Sequence, residues 1–306
     1  MNTKSIVGRS FARHTLGWAL LCAGFAAHAA CTTSTPIFLS QGSGGPTSLL
    51  SSAATLPVSF GSLGAAVRTY NAIGYNDVDD KLYGISNSGQ ILLEIDQTTG
   101  ASTDVGAVSG LPAGSYNSGA FSNTGAYYVK PFSNNSQLYR IDVTASPPTA
   151  TLITLSQAFT TSDMAWVGSL MYSTADNGQL YSIDVATGTT TAIGSPDNTG
   201  GVLGAQFSGT NGLFGSANNG SGLYRINLTT GQRDKISDSP ASGANDGASC
   251  PTVALFEPLP PEPPEPPEPP PPPTPVPTLD FPGLGLLSLL GAGAGALGLR
   301  RRKRTH

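Results

Sequence analysis

The sequence predicts an all-β fold, a β-propeller of five blades, and three observations carry that prediction. A five-residue unit recurs as Leu92-Leu93-Glu94-Ile95-Asp96, Leu138-Tyr139-Arg140-Ile141-Asp142, Leu180-Tyr181-Ser182-Ile183-Asp184 and Leu223-Tyr224-Arg225-Ile226-Asn227, at intervals of 46, 42 and 43 residues. Each copy alternates apolar and other residues with period two, the pattern of a half-buried strand. Each copy also has further strand-like segments around it. Four short strands in a unit of about 43 residues is the period of a propeller blade, and a sandwich would not repeat so regularly.

The elements follow in order. The first strand of the four complete units is centred on Ala72–Tyr75, Gly119–Phe121, Met164–Trp166 and Gly204–Phe207. The second is Leu82-Tyr83-Gly84-Ile85, Tyr127-Tyr128-Val129, Leu170-Met171-Tyr172 and Leu213-Phe214-Gly215. The repeat motif supplies the third. A turn follows it with Thr99-Gly100, Thr187-Gly188 or Thr230-Gly231, where glycine provides the positive φ of a tight hairpin; the second unit has Ala145-Ser146-Pro147-Pro148 in a longer loop. The fourth strand ends at Val105-Gly106 in the first unit and at Ile193-Gly194 in the third.

These units span Tyr70 to about Pro240, and a fifth is split. Gly247-Ala248-Ser249-Cys250 reads as its innermost strand, with Pro36–Ser40, Ser48–Ala53 and Val58–Gly61 as the other three. Sharing a blade between distant segments closes the ring and leaves no exposed sheet edge. In that register Cys31 and Cys250 fall at the same blade position, within one hairpin connection, which predicts a disulfide between them. The recurrent Asp96, Asp142, Asp184 and Asn227 close a strand and enter a turn, where such side chains accept nearby backbone amides; their regularity argues for structure over catalysis. Asn76-Asp77-Val78-Asp79-Asp80 reads as a polar turn, since it lacks the ligand alternation, glycine and terminal glutamate of a calcium-binding EF-hand loop.

Different compositions flank the propeller segment, 31–257. Residues 1–30 carry Lys4, Arg9 and Arg13, an apolar run from Leu16 to Ala27, and Ala27-His28-Ala29 as a small-x-small cleavage pattern, the layout of a secretory signal peptide. Fifteen of the 25 prolines lie between Pro258 and Pro282. Residues 258–277, with Glu262, Glu265 and Glu268 at a spacing of three, read as a stiff polyproline linker about 60 Å long at 3.1 Å per residue. Residues 276–306 form a C-terminal signal. Val276-Pro277-Thr278-Leu279 precedes the uncharged stretch Phe281–Leu299, long enough as a transmembrane helix at about 28 Å, and the basic run Arg300–Arg304 keeps that end cytoplasmic.

This arrangement of short motif, apolar helix and arginine cluster resembles the IPTL-CTERM protein-sorting signals, relatives of the PEP-CTERM signals, with Val276 standing where isoleucine is usual. The resemblance implies an exported protein held in the inner membrane by its tail until an exosortase-type transpeptidase cuts near Val276–Leu279 and passes it to the cell surface. The core, in which Tyr70-Asn71-Ala72-Ile73-Gly74-Tyr75-Asn76 opens the first blade, resembles uncharacterised propeller-like repeats of bacterial surface proteins. That resemblance implies a fold more than a job, because propellers host enzymes and plain binding modules alike.

Composition narrows the chemistry. All three histidines, His14, His28 and His306, lie outside 31–257, so that segment holds no Ser-His-Asp triad, no Cys-His pair and no His-ligated metal. It carries seven basic and fifteen acidic residues, which argues against nucleic acid, and nothing in it requires a cofactor. The candidate ligand-binding set is Asn71, Asn117, Asp163, Asn245 and Asp246, each near the start of an innermost strand, where a propeller brings strand ends to one mouth of the central channel. The sequence therefore reads as a binding or structural module of the cell surface with a glycan or envelope partner. The alternative is a carbohydrate-active enzyme using aspartates at that mouth. Replacing Pro277 and Thr278 with alanine should hold full-length protein in the inner membrane, read by cell fractionation with detection of the C-terminal peptide. That peptide still attached to protein recovered from the cell surface would contradict the sorting reading.

Overall fold

A computed structural model of the chain describes residues 31–257, apart from 33, 43–44 and 88–89. The signal peptide, the proline linker, the Val276–Leu279 motif and the apolar tail lie outside the described residues. Among the described residues no helix is long and apolar enough to cross a membrane.

Twenty strands form five four-stranded antiparallel sheets arranged as a ring of blades. β1 (Ile37–Gln41), β2 (Ser48–Ser52) and β3 (Gly61–Ser62) open the chain. Blade 1 holds β4 (Tyr70–Asn76), β5 (Lys81–Ser86), β6 (Ile91–Ile95) and β7 (Ser102–Ala107), and blade 2 holds β8 (Tyr116–Phe121), β9 (Tyr127–Pro131), β10 (Asn135–Asp142) and β11 (Thr149–Phe159). Blade 3 holds β12 (Thr161–Val167), β13 (Leu170–Ala175), β14 (Leu180–Asp184) and β15 (Thr189–Ile193), and blade 4 holds β16 (Leu203–Gly209), β17 (Gly212–Ala217), β18 (Leu223–Ile226) and β19 (Arg233–Ser237). The last strand, β20 (Asn245–Ala248), pairs with β1 and completes blade 5 in the order β20-β1-β2-β3.

The split blade is the one expected, with two shifts in position. β20 starts at Asn245, two residues before the predicted strand, and Cys250 lies just beyond it. The outer strand is the two-residue β3 at Gly61–Ser62, where the sequence reading had Val58–Gly61. Cys31 and Cys250 are joined, with an S–S distance of 2.06 Å across a sequence separation of 219. A crosslink enclosing so long a loop removes about 5 kcal/mol of unfolded-state chain entropy in the loop-closure account.

Burial explains the residue choice. Innermost strands are covered on both faces by neighbouring blades, so β16, Leu-Gly-Ala-Gln-Phe-Ser-Gly, is buried along its whole length, whereas β7 at the outer edge is largely exposed. The blades taper toward the axis, and small residues let the inner strands meet there: a side chain on Gly247 would strike the Gln206 backbone. Farther out the gaps fill with apolar layers. Tyr83, Phe121 and Tyr127 pack between blades 1 and 2, and Tyr128 and Trp166 between blades 2 and 3. Leu180, Leu203 and Leu213 pack between blades 3 and 4, while Phe38, Tyr75, Phe207, Phe214 and Phe256 embed the split blade. The repeated turn residues act as read: Asp96 Oδ1 accepts the amides of Thr98 and Thr99 at 2.9 and 2.8 Å, and Asn227 Oδ1 those of Thr229 and Thr230 at 2.9 and 3.0 Å.

Polar bonds close a second circuit around the axis, linking each blade to the next. The Tyr127 hydroxyl donates to the Ala72 carbonyl, joining blades 2 and 1, and Asn117 Nδ2 donates to Thr161 O and Ser162 O at 3.0 and 3.2 Å, joining blades 2 and 3. The Gln206 amide donates to Asp163 Oδ2, joining blades 4 and 3. Ser249 Oγ accepts the Ser208 amide at 2.8 Å and donates to its carbonyl at 2.9 Å, joining blades 5 and 4. The Ile73 amide donates to Asp246, joining blades 1 and 5.

Two tests follow from the ring. Changing Cys31 and Cys250 to serine should lower stability by about 2–5 kcal/mol in denaturant titrations, the usual range for losing a native disulfide. The second concerns Asp163 and Asp246, which share the Gly247 amide with no solvent exposure. Burial, and for Asp246 also the charge of Asp163, pushes both carboxyls above the ordinary value of 3.8. The folded state therefore keeps protons that the unfolded chain releases above that value, and stability should fall as pH rises from about 4, by up to about 1.4 kcal/mol per pH unit for each proton kept. Asp246→Asn should flatten this slope relative to the native protein across pH 4–8, and equal slopes would show that the pair keeps no such proton.

Candidate functional site

The innermost strands carry irregularities at equivalent places. Pairing slips between Asn71 and Gly74 in β4, Tyr116 and Ser118 in β8, Thr161 and Asp163 in β12, and Leu203 and Ala205 in β16. A bulge leaves one residue out of the ladder and re-aims it. The skipped residues Asn117, Ser162 and Gly204 gather at one end of the ring, where with Asn71 and Asn245 they line a cavity of about 410 Å³. At the opposite end the inner strands leave a cavity of only about 20 Å³, room for about one water.

A second tier rings the same mouth. Asn87, Phe132, Asp176 and Asn218 each follow directly after the second strand of blades 1, 2, 3 and 4. They were not among the candidates read from the sequence, yet a signal exists: Ser173-Thr174-Ala175-Asp176-Asn177-Gly178 and Gly215-Ser216-Ala217-Asn218-Asn219-Gly220 put a short polar side chain at the same hairpin position. Gly204 makes room for one of them, because a side chain there would collide with the Asn218 amide.

The five candidate residues divide into two groups. Asn71, Asn117 and Asn245 line the mouth. Asp163 and Asp246 do not: both have 0% exposure and sit among the converging inner strands. Both lie beyond the lip of the mouth, Asp163 past the β12 bulge and Asp246 one step after Asn245, where inner-strand amides take up their oxygens. Asp163 Oδ1 accepts the Met164 amide at 2.7 Å, and Asp163 Oδ2 and Asp246 Oδ1 share the Gly247 amide at 3.1 and 3.0 Å. Asp163 accepts three backbone amides and Asp246 two, so Asp163 is the better solvated of the two as an anion. These aspartates hold the hub together and do not face the cavity. Among the described residues lining the mouth Asp176 is the one carboxylate, so the acid and base pair that glycoside hydrolysis uses is not assembled there.

What the mouth offers instead is unmet amide chemistry. Asn71 Oδ1, Asn117 Oδ1, Asn218 Oδ1 and both side-chain polar atoms of Asn245 are buried and have no hydrogen-bond partner among the described residues. Such groups cost about 1–3 kcal/mol each when left unpaired, and five around one cavity is a concentration that calls for a ligand. Phe132, 57% exposed, stands at the rim, and no basic side chain is found among the described lining residues.

A family profile described as "Repeat of unknown function (DUF6923)" matches residues 38–252. No curated protein matches the chain in sequence. Among solved structures, virginiamycin B lyase from Staphylococcus aureus is similar at 13% identity, over 67% of this chain and 71% of that one, with a TM-score of 0.42. A gluconolactonase from Xanthomonas campestris is similar at 16% identity, over 64% and 73%, with a TM-score of 0.45. A chain of a nidogen/laminin complex is similar at 9% identity, over 71% and 99%, also with a TM-score of 0.45. The likeness is one of fold alone.

Proposed function

Because the chain belongs to the DUF6923 family, a repeat of unknown function, the reading has to come from its own mouth, and we propose that the propeller is a binding module that takes a carbohydrate there. The observation that carries this is the ring of asparagine side chains with polar atoms that have no hydrogen-bond partner among the described residues. Amides can donate to and accept from hydroxyls, the groups a sugar presents in quantity, and an exposed aromatic ring at the rim offers an apolar face to the C–H side of a pyranose. The absence of cations among the described lining residues disfavours phosphorylated or nucleotide ligands. A cavity of about 410 Å³ lies in the range of about 300–1,000 Å³ common to small-molecule sites.

We infer from the terminal segments that this module works outside the cell: residues 1–30 would direct export, the apolar stretch Phe281–Leu299 would anchor the precursor, and a sorting transpeptidase would release it to the surface, with the proline-rich segment as spacer. The propeller then meets surface or matrix polysaccharide as a binding and structural component.

Full-length protein applied to a glycan array should bind at least one neutral oligosaccharide. Asn71→Ala and Asn218→Ala should each weaken that binding about tenfold, the equivalent of one hydrogen bond of about 1.4 kcal/mol, with the unfolding midpoint little changed. Binding confined to anionic glycans, or unaffected by both substitutions, would refute the assignment.

A further inference from the structure

We propose that the site does not end at the mouth: it continues outward into a second cavity between blades 2 and 3, so that the ligand is a linear oligosaccharide of several units. This deepens the carbohydrate reading and rests on it. The second cavity encloses about 290 Å³ and is bounded by Asn134, Thr160, Asp176, Asn177 and Tyr181, with Phe159 beside Tyr181. Asp176 belongs to both cavities. Two other stretches of chain also run from one to the other: Phe132 faces the mouth and Asn134 the second cavity, and Ser162 faces the mouth while Thr160 faces the second cavity. Three separate segments therefore form a continuous wall.

The chemistry continues as well. Both cavities are lined by amides, hydroxyls and an aromatic side chain, they share one carboxylate, and neither has a basic residue among its described lining residues. At the junction, Asp176 Oδ1 accepts the Ser162 hydroxyl at 2.8 Å, which fixes the carboxylate where successive sugar rings would both present hydroxyls. The aromatic wall is held in place. Tyr181 stacks on Phe159 with centroids 4.6 Å apart and planes 27° apart, and Lys130 Nζ lies 4.9 Å from the Phe159 centroid. Lys130 is fixed in turn by the Asn135 carbonyl and side-chain oxygens, both at 3.0 Å. A wall already ordered in the free protein loses little freedom on binding. On its own the second cavity falls just short of the usual lower bound of about 300 Å³ for a ligand site; as the continuation of the mouth it supplies further subsites.

The test is a length series on the full-length protein: immobilised β-glucan, chitin, mannan and galactan ladders of one to six units, with affinities read at each length. For the ladder that binds, affinity should climb at least tenfold between the disaccharide and the tetrasaccharide and then level off. Asn134→Trp, which fills the second cavity from an exposed position, and Tyr181→Ala should both abolish the climb and leave mono- and disaccharide binding within twofold of the native protein. Asn218→Ala at the mouth should instead weaken every length alike. Affinity independent of length would overturn the second subsite while leaving the mouth as a carbohydrate site, as would a climb that survives Asn134→Trp. Tyr181→Ala alone lowering all lengths equally would mark that residue as structural, and the Asn134→Trp result then decides. No binding to any ladder would overturn this proposal together with the reading on which it rests.

Discussion

Five inner strands converge on an axis too narrow for side chains of ordinary size, and the structure depends on how their backbone amides are satisfied there. Each is the inner edge of its sheet, so the amides that point to the axis have no further strand to pair with. Two carboxyl groups accept them instead. Asp163 receives amides from blades 3, 4 and 5, and Asp246 from blades 1 and 5, so that one buried carboxyl pair bolts four blades together at the hub. Blade 2 joins through Asn117 and Tyr127, whose partners lie in blades 3 and 1. The apolar layers farther out supply bulk stability, but they are non-directional and would tolerate sliding. The hub bonds fix the angular position of each blade, and with it the place of every residue at the mouth.

The division between mouth and hub shows where sequence reasoning reached its limit. The blade count and the split fifth blade were legible because the repeat motif sits on half-buried third strands, where alternation is strong. The disulfide followed from the register that this set, as did the role of Asp96 and its equivalents, which depends on local turn geometry alone. The inner strands were harder. They are buried on both faces, so no alternation shows which side chain points where, and Asp163 and Asp246 looked equivalent to Asn71 and Asn117. A bulge shifts orientation by one residue without a mark in composition, and only the three-dimensional register separates the lining amides from the buried acids. Asn218 and Asp176 were legible in principle, as the same hairpin position in successive blades, but that position carries Phe132 in blade 2, which hides the pattern from a search by residue type.

The variation at that hairpin position separates two demands on the sequence. In blades 1 to 4 the fold brings the side chain just after the second strand to the mouth, because the hairpin turns there. It does not dictate which one. Asn87, Phe132, Asp176 and Asn218 are four solutions to one geometric slot, giving amide, aromatic, acid and amide around a single cavity. Regular positions such as Asp96 and its counterparts instead repeat the same chemistry because each serves its own turn. In a repeat protein, departure from the repeat at a shared position is thus the better pointer to recognition.

The covalent closure at Cys31 and Cys250 also governs how the ring bears force. Past β20 the chain runs through Val253, Leu255 and Phe256, which are buried, with the Phe256 amide held by Ala54 O at 2.7 Å. Tension arriving from beyond Glu257 meets these contacts and then, within a few residues, the sulfur bridge. An inner strand held by hydrogen bonds alone would be unzipped one bond at a time from its end. With the bridge in place, the pull divides between β20 and the segment leading into β1. A pull on this end of the chain must therefore act on two strands of blade 5 at once before that blade can open.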